Sequence, residues 1–130
     1  MKRVTGVGGV FFKSEDPEKL KNWYAKHLGL NTDEYGCMFK MGGKEESHLL
    51  QWSVFKSDTD YMQPSTSPFM INYCVEDMEK LVEVLKSEGV EVVDDIAIYE
   101  YGKFVHIMDP DGNKIELWEP PKNAEQAFES

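Results

Sequence analysis

What most constrains this chain is an order of elements that begins twice, about 60 residues apart. Residues 4–12 are rich in Val, Phe and Gly and read as a strand, with Gly6, Gly8 and Gly9 marking a bend or a close backbone approach. Asp16 then stands as a helix N-cap, with Pro17 at the first helical position. Leu20, Trp23, Tyr24 and Leu28 follow at three- and four-residue spacing, which predicts an amphipathic helix over 18–28, ended by Gly29. Extended pieces over 35–41 and 48–55 complete the first half, with Gly42-Gly43 as the turn between them. Residues 69–75 restart the series as a strand. Asp77 is read as the next N-cap, Met78, Leu81, Val82 and Leu85 form a helical face, and Gly89 ends it. Strands are predicted over 90–98, 103–108 and 114–118. Asp109-Pro110-Asp111-Gly112-Asn113 makes the last hairpin turn, because Pro presets φ and Gly supplies a positive φ.

A helix placed between strands in each half gives an α+β fold, with helices on one sheet face and the other face free. The expected organisation is one domain over 1–130, with modules of about 4–56 and 69–119 and a polar tail over 120–130. The stretch 56–68 carries Asp, Ser, Thr and two prolines, and reads as a loop between the halves. Hydrophobic residues make up 41% of the 130, enough to build a core. The net charge of −10 opposes docking on nucleic acid or on an anionic membrane. No apolar run approaches the roughly 20 residues needed to span a bilayer, and Met1-Lys2-Arg3-Val4 lacks the apolar stretch of a signal peptide. Cys37 and Cys74 are isolated and read as reduced thiols that pack, so the expected location is cytoplasmic.

Certain of these residues carry a family resemblance. In the first half they are Asp16-Pro17-Glu18-Lys19-Leu20, Trp23-Tyr24 and His27-Leu28-Gly29-Leu30. In the second they are Val75-Glu76-Asp77 and, most specifically, Asp109-Pro110-Asp111-Gly112-Asn113 running into Lys114-Ile115-Glu116-Leu117. Over roughly residues 4–119 the chain resembles the vicinal-oxygen-chelate superfamily, which includes glyoxalases, bleomycin-resistance proteins and extradiol dioxygenases. The resemblance implies two βαβββ modules that form a cupped mixed sheet, helices on the outer face and a small organic molecule in the cup. It also implies a homodimer. Such a fold hosts metal-dependent enzymes and metal-free binding proteins alike, so the site must decide the function.

The metal-dependent members place ligands on the first and last strands of each half, with His and Glu the commonest types. Carried onto this sequence, the last position falls on Glu116, which matches. Its first-half equivalent falls on Gln51, a neutral and weaker donor. The first strand of the second half puts the position on Met70, with Asn72 as its same-face neighbour. The opening strand puts it on Gly8 or Gly9, neither of which has a side chain. Glu116 and Gln51 are thus the metal candidates at the family positions, His106 beside Glu116 offers a different set for binding a metal or transferring protons, and no cofactor is assigned beyond the alternative of a divalent ion.

Strand alternation sorts the remaining candidates by face. Lys114, Glu116 and Trp118 share one face with Phe104, His106 and Met108, with Leu49, Gln51 and Ser53, and with Gly9 and Phe11. Glu116, flanked by apolar residues, reads either as a catalytic or ligand-binding carboxylate or as half of a salt bridge to a lysine. His106 reads first as a satisfied structural histidine and second as its acid–base partner. Phe11, Gln51, Phe104, His106 and Trp118 are the candidate pocket lining, against a reading as core filling. Asp94-Asp95 and Glu100 read as a solvated edge. The function expected on this basis is metal-free binding of a small molecule in the cup. The alternatives are a metal-dependent lyase, isomerase or dioxygenase built on Glu116, and an accessory domain acting through protein contacts; whether the chain is an enzyme stays open.

Overall fold

The structure, a computed structural model, describes residues 2–42 and 48–122. The elements run β1 (Val4–Ser14), α1 (Pro17–Leu28), β2 (Cys37–Met41), β3 (His48–Lys56), β4 (Phe69–Val75), α2 (Met78–Ser87), β5 (Ala97–Tyr99), β6 (Gly102–Met108) and β7 (Lys114–Glu119). Most of the expected polar tail, and Gly43 of the expected turn, lie outside the described residues.

All seven strands form one mixed sheet in the order β2-β3-β1-β4-β7-β6-β5. The two halves meet at its centre, where β1 and β4 pair antiparallel. Each half then repeats one device: its first strand pairs parallel with its last, β1 with β3 and β4 with β7. Among the described residues the second half has four strands. The first has three, and between α1 and β2 the chain makes only an isolated Asp33–Gly36 bridge.

α1 forms as its sequence dictates. The Asp16 carboxylate accepts from the Lys19 amide at 3.1 Å, Pro17 opens the helix, and Gly29 closes it at φ 72°, a left-handed conformation that costs glycine least. α2 is capped differently from the sequence expectation. Asp77 itself adopts φ 55° and makes no side-chain cap. Instead Glu119 Oε1, at the end of β7, accepts from the Met78 amide at 2.6 Å, so a distant strand satisfies the exposed helix start.

Both helices cover the same sheet face. Met78, Leu81 and Val82 of α2 bury against Val75, Val105 and Leu117, and Tyr24 of α1 packs on Trp52, which in turn packs on Phe12. Each such side chain contributes about 2 kcal/mol on burial. The opposite face holds Phe11, Met62 and Met70 as a second, smaller cluster.

The predicted strand over 90–98 is corrected: only Ala97–Tyr99 forms a strand, and Val92 makes a single bridge to Ile107. The cause is local. The Asp94 carboxylate accepts from the His106 amide at 2.8 Å, taking a donor that a continued ladder would have used.

Candidate functional site

The strand registers align one residue from each of five strands in a row across the open face: Gln51, Gly9, Asn72, Glu116 and His106. The ligand position assigned to Met70 therefore moves by one pleat to Asn72, the residue opposite Glu116. A register irregularity in β1 between Val7 and Gly9 leaves Gly8 as the extra residue. A Cβ there would stand 2.5 Å from Asn72 Oδ1 and 2.8 Å from both Cys74 Sγ and the Trp118 ring, which explains the glycine without any ligand role.

Glu116 is the centre of the site, and only 2% exposed. Asn72 Nδ2 donates to its Oε1 at 2.6 Å. Its Oε2 lies 2.8 Å from His106 Nε2 and also accepts from the Tyr61 hydroxyl. The buried carboxylate is thus fully supplied with donors, as burial of a charge requires. His106 Nδ1 lies 2.6 Å from Asp94 Oδ2, and Asp94 is half-exposed. A hydrogen-bonded line therefore runs from solvent at Asp94 through His106 to the buried Glu116. Both imidazole nitrogens face acceptors, so the protonated ring satisfies both. Burial alone would lower the His106 pKa, but hydrogen bonds to Glu116 and Asp94 and their charges outweigh it and raise it.

Tyr61 comes from the loop joining the halves, which folds over the open face. Its ring stacks on Phe55 at 5.6 Å and 10° and meets His106 edge-on at 5.4 Å. Lys114 Nζ donates to the Tyr61 carbonyl at 2.7 Å. Burial and the neighbouring Glu116 charge push the Tyr61 phenol pKa up, so the hydroxyl keeps its proton. Met62 beside it is fully buried against Phe11 and Met70. Burial likewise pushes the Cys74 thiol up to about 11, which removes it as a nucleophile near neutral pH.

The structure brings Glu116 and His106 into direct contact and sets Phe11 beneath the loop. Phe104 and Trp118 stack at 6.2 Å along the β6–β7 side, next to Tyr99 and Tyr101. Gln51 is not brought to Glu116: its Nε2 donates to the Tyr35 carbonyl at 3.1 Å and to Ser53 Oγ at 3.1 Å. The sequence reading missed Tyr61 and Asp94. The signal for the first was an aromatic–methionine pair, Tyr61-Met62, inside an otherwise polar loop. Asp94, on a stretch whose acidity predicts a solvated edge, is exposed on one side and bonded to His106 on the other. A cleft of 420 Å³ lies apart from these groups, along the first turns of α1, lined by Asp16, Lys19, Trp23 and Tyr24 among others.

The Glyoxalase/Bleomycin resistance protein/Dioxygenase superfamily model matches residues 10–117. The chain belongs to that superfamily. Among solved structures, a methylmalonyl-CoA epimerase from Mycobacterium tuberculosis matches with a TM-score of 0.66 at 18% identity, over 97% of this chain and 95% of that one. A methylmalonyl-CoA epimerase in complex with methylmalonyl-CoA and NH4+ matches with a TM-score of 0.68 at 12% identity, over 92% and 96%. A Mn(II)-bound glyoxalase from Novosphingobium aromaticivorans matches with a TM-score of 0.61 at 22% identity, over 92% of this chain and 40% of the longer one. At these identities the likeness establishes the fold alone. No curated protein sequence matches.

The superfamily implies a divalent metal in some members, and the residues here do not fit one. Of the five register-aligned positions, only Glu116 offers an anionic donor, its oxygens already take three hydrogen bonds, and both ring nitrogens of His106 are engaged by Glu116 and Asp94. Gly9 offers nothing, Asn72 presents its NH2 to Glu116, and Gln51 stands three strand spacings away along the sheet with its amide engaged elsewhere. Among the described residues, no group of three or more His, Cys, Asp and Glu side chains stands close enough to hold an ion. Nor, among those residues, is any helix long and apolar enough to cross a membrane.

Proposed function

We propose that this glyoxalase-superfamily chain is a small-molecule-binding protein whose pocket is the cup around Glu116, and that it works without its relatives' metal centre. One observation carries the reading: a carboxylate only 2% exposed sits on the face opposite the helices, and one of its three partners, Tyr61, is 39% exposed. A buried charge that core packing does not need, hydrogen-bonded to a side chain that is itself partly exposed, is a binding feature before it is a structural one.

The chemistry such a site supports is proton transfer. A ligand that reaches Glu116 meets a carboxylate able to take a proton. His106 is hydrogen-bonded to it and Asp94 orients His106 from the solvent side; once the ring has lost one proton and keeps its N–H toward Asp94, Nε2 can take that proton from Glu116. Phe104 and Trp118 would flank a ligand's apolar part, and Phe55, with Phe11 packed behind it, would floor it. Residues 1–130 act in this reading as one domain and, following the resemblance, as a cytoplasmic homodimer; sedimentation velocity tests the pairing. The pocket is tested by screening small organic acids, alcohols and amides for a thermal shift with wild type and Glu116→Gln. A ligand that stabilises wild type and not Glu116→Gln supports the proposal. Ligands that stabilise both equally place binding elsewhere and refute it.

A further inference from the structure

We infer that Tyr61 is an internal occupant of the cup, standing where the ligand goes, and that the ligand enters by displacing it. The ligand is then a flat-ringed molecule with a hydroxyl or N–H donor at one end and a carbonyl or carboxylate oxygen at the other. This rests on the reading of the cup as a binding site and adds what binds there.

Tyr61 is held through its hydroxyl, its backbone and its ring. Its hydroxyl donates to Glu116, and its backbone carbonyl accepts from Lys114 Nζ at 2.7 Å. Its ring lies flat on Phe55 and edge-on to His106, with the Lys114 ammonium 5.4 Å from the ring centre. The cup therefore grips one residue by an acceptor, a cation and two rings, one stacked on it and one edge-on. Those are the contacts by which a pocket fixes a ligand's orientation.

The segment around Tyr61 is built to leave. Among the described residues, its backbone bonds over 58–66 stay local: Thr59 to Lys56, Gln63 to Asp60 and Ser65 to Met62. Beyond the turn that leaves Lys56 at the end of β3, the tie from this backbone to the sheet is Lys114 Nζ on the Tyr61 carbonyl, the contact a ligand's oxygen would take over, whereas Ser57 and Pro68 at its ends bond the backbone of Ser14 and Lys13. Met62, fully buried with Phe11 and Met70, anchors the loop. Ser67 Oγ, 2.5 Å from Asn113 Oδ1, anchors it further along. Tyr61 can thus swing out on the solvent side of a fixed Met62. Tyr99 and Tyr101, both exposed beside Phe104, leave an aromatic rim for an incoming ring.

The test uses the full chain and 3-(4-hydroxyphenyl)propionate, which carries the tyrosine ring and hydroxyl and a carboxylate for Lys114. Its control is 3-phenylpropionate, which lacks the hydroxyl. Hydrogen–deuterium exchange is followed at the amides of Tyr61 and Gln63, bonded in the closed form to Thr59 Oγ1 and the Asp60 carbonyl. At saturation both amides are expected to exchange about tenfold faster while β4 is unchanged. Removing the hydroxyl should weaken binding about tenfold. Tyr61→Phe keeps the ring but frees Glu116, so it should bind the probe several-fold more tightly than wild type. Probe binding with both amides still protected overturns the inference and leaves the cup as a binding site. Failure of both wild type and Tyr61→Phe to bind overturns the inference and its ligand class, while the Glu116→Gln screen judges the binding reading separately.

Discussion

The two halves of this sheet share one frame and differ in what they hang on it. In the second half, Glu116 on β7 pairs across to Asn72 on β4 and to His106 on β6. In the first half the same places are Gln51 on β3, Gly9 on β1 and Met38 on β2. A carboxylate, an amide and an imidazole thus stand opposite an amide, nothing and a thioether. The charged hydrogen-bonding set belongs to the second half. The first half supplies apolar floor from Phe11 and Phe55, and the loop leaving it delivers Tyr61. Repetition of a backbone does not repeat chemistry. The register positions are equivalent, but only one half keeps donors and acceptors that bond one another across the row, with Asn72 Oδ1 left buried and without a partner.

The comparison breaks most visibly at Glu116. Glu116→Ala strips the acceptor from three donors, two of them buried, and is expected to cost about 3–5 kcal/mol by urea denaturation. Gln51→Ala, its counterpart, should cost about 1 kcal/mol, since its bonds are neutral and at the half-exposed side of the sheet. Equal costs would remove the asymmetry. Gly8→Ala comes next, at about 1–3 kcal/mol, because the new methyl overlaps Asn72 and Trp118. The cost should shrink when Asn72 is also changed to Ala, and an unchanged cost would put the strain elsewhere.

The smallest effect is in pH. The folded His106 pKa lies above its ordinary value of 6.5. The stability it contributes is present in full below that value, and is lost as pH rises through the raised one. Unfolding free energy should therefore fall above pH 6.5, before Cys74 titrates, and the slope should vanish in His106→Gln. A slope that survives the substitution assigns the titration to another group.

Much of this was legible in the sequence, and the reasons are physical. Asp16-Pro17 and Gly29 bound α1 because caps are local chemistry. The alternation of Lys114, Glu116 and Trp118 with Ile115 and Leu117 fixed the faces because a strand's period is two. What sequence could not reach was long-range. Asp94 meets His106 across 12 residues, Tyr61 meets Glu116 across 55, and Glu119 caps α2 from 41 residues away. The one-pleat error at Met70 has the same source: the β1 irregularity at Gly8 and the pairing of Asn72 with Glu116 are properties of register, which no single strand contains.

The central claim is that Glu116 is held by the chain's own donors and serves a ligand rather than a metal. The most direct measurement is manganese retention after exchange into metal-free buffer, by inductively coupled plasma mass spectrometry, on protein reconstituted with excess Mn(II) as wild type and Glu116→Ala. The account predicts no stoichiometric manganese in either protein. Stoichiometric manganese in wild type that disappears in Glu116→Ala would contradict it.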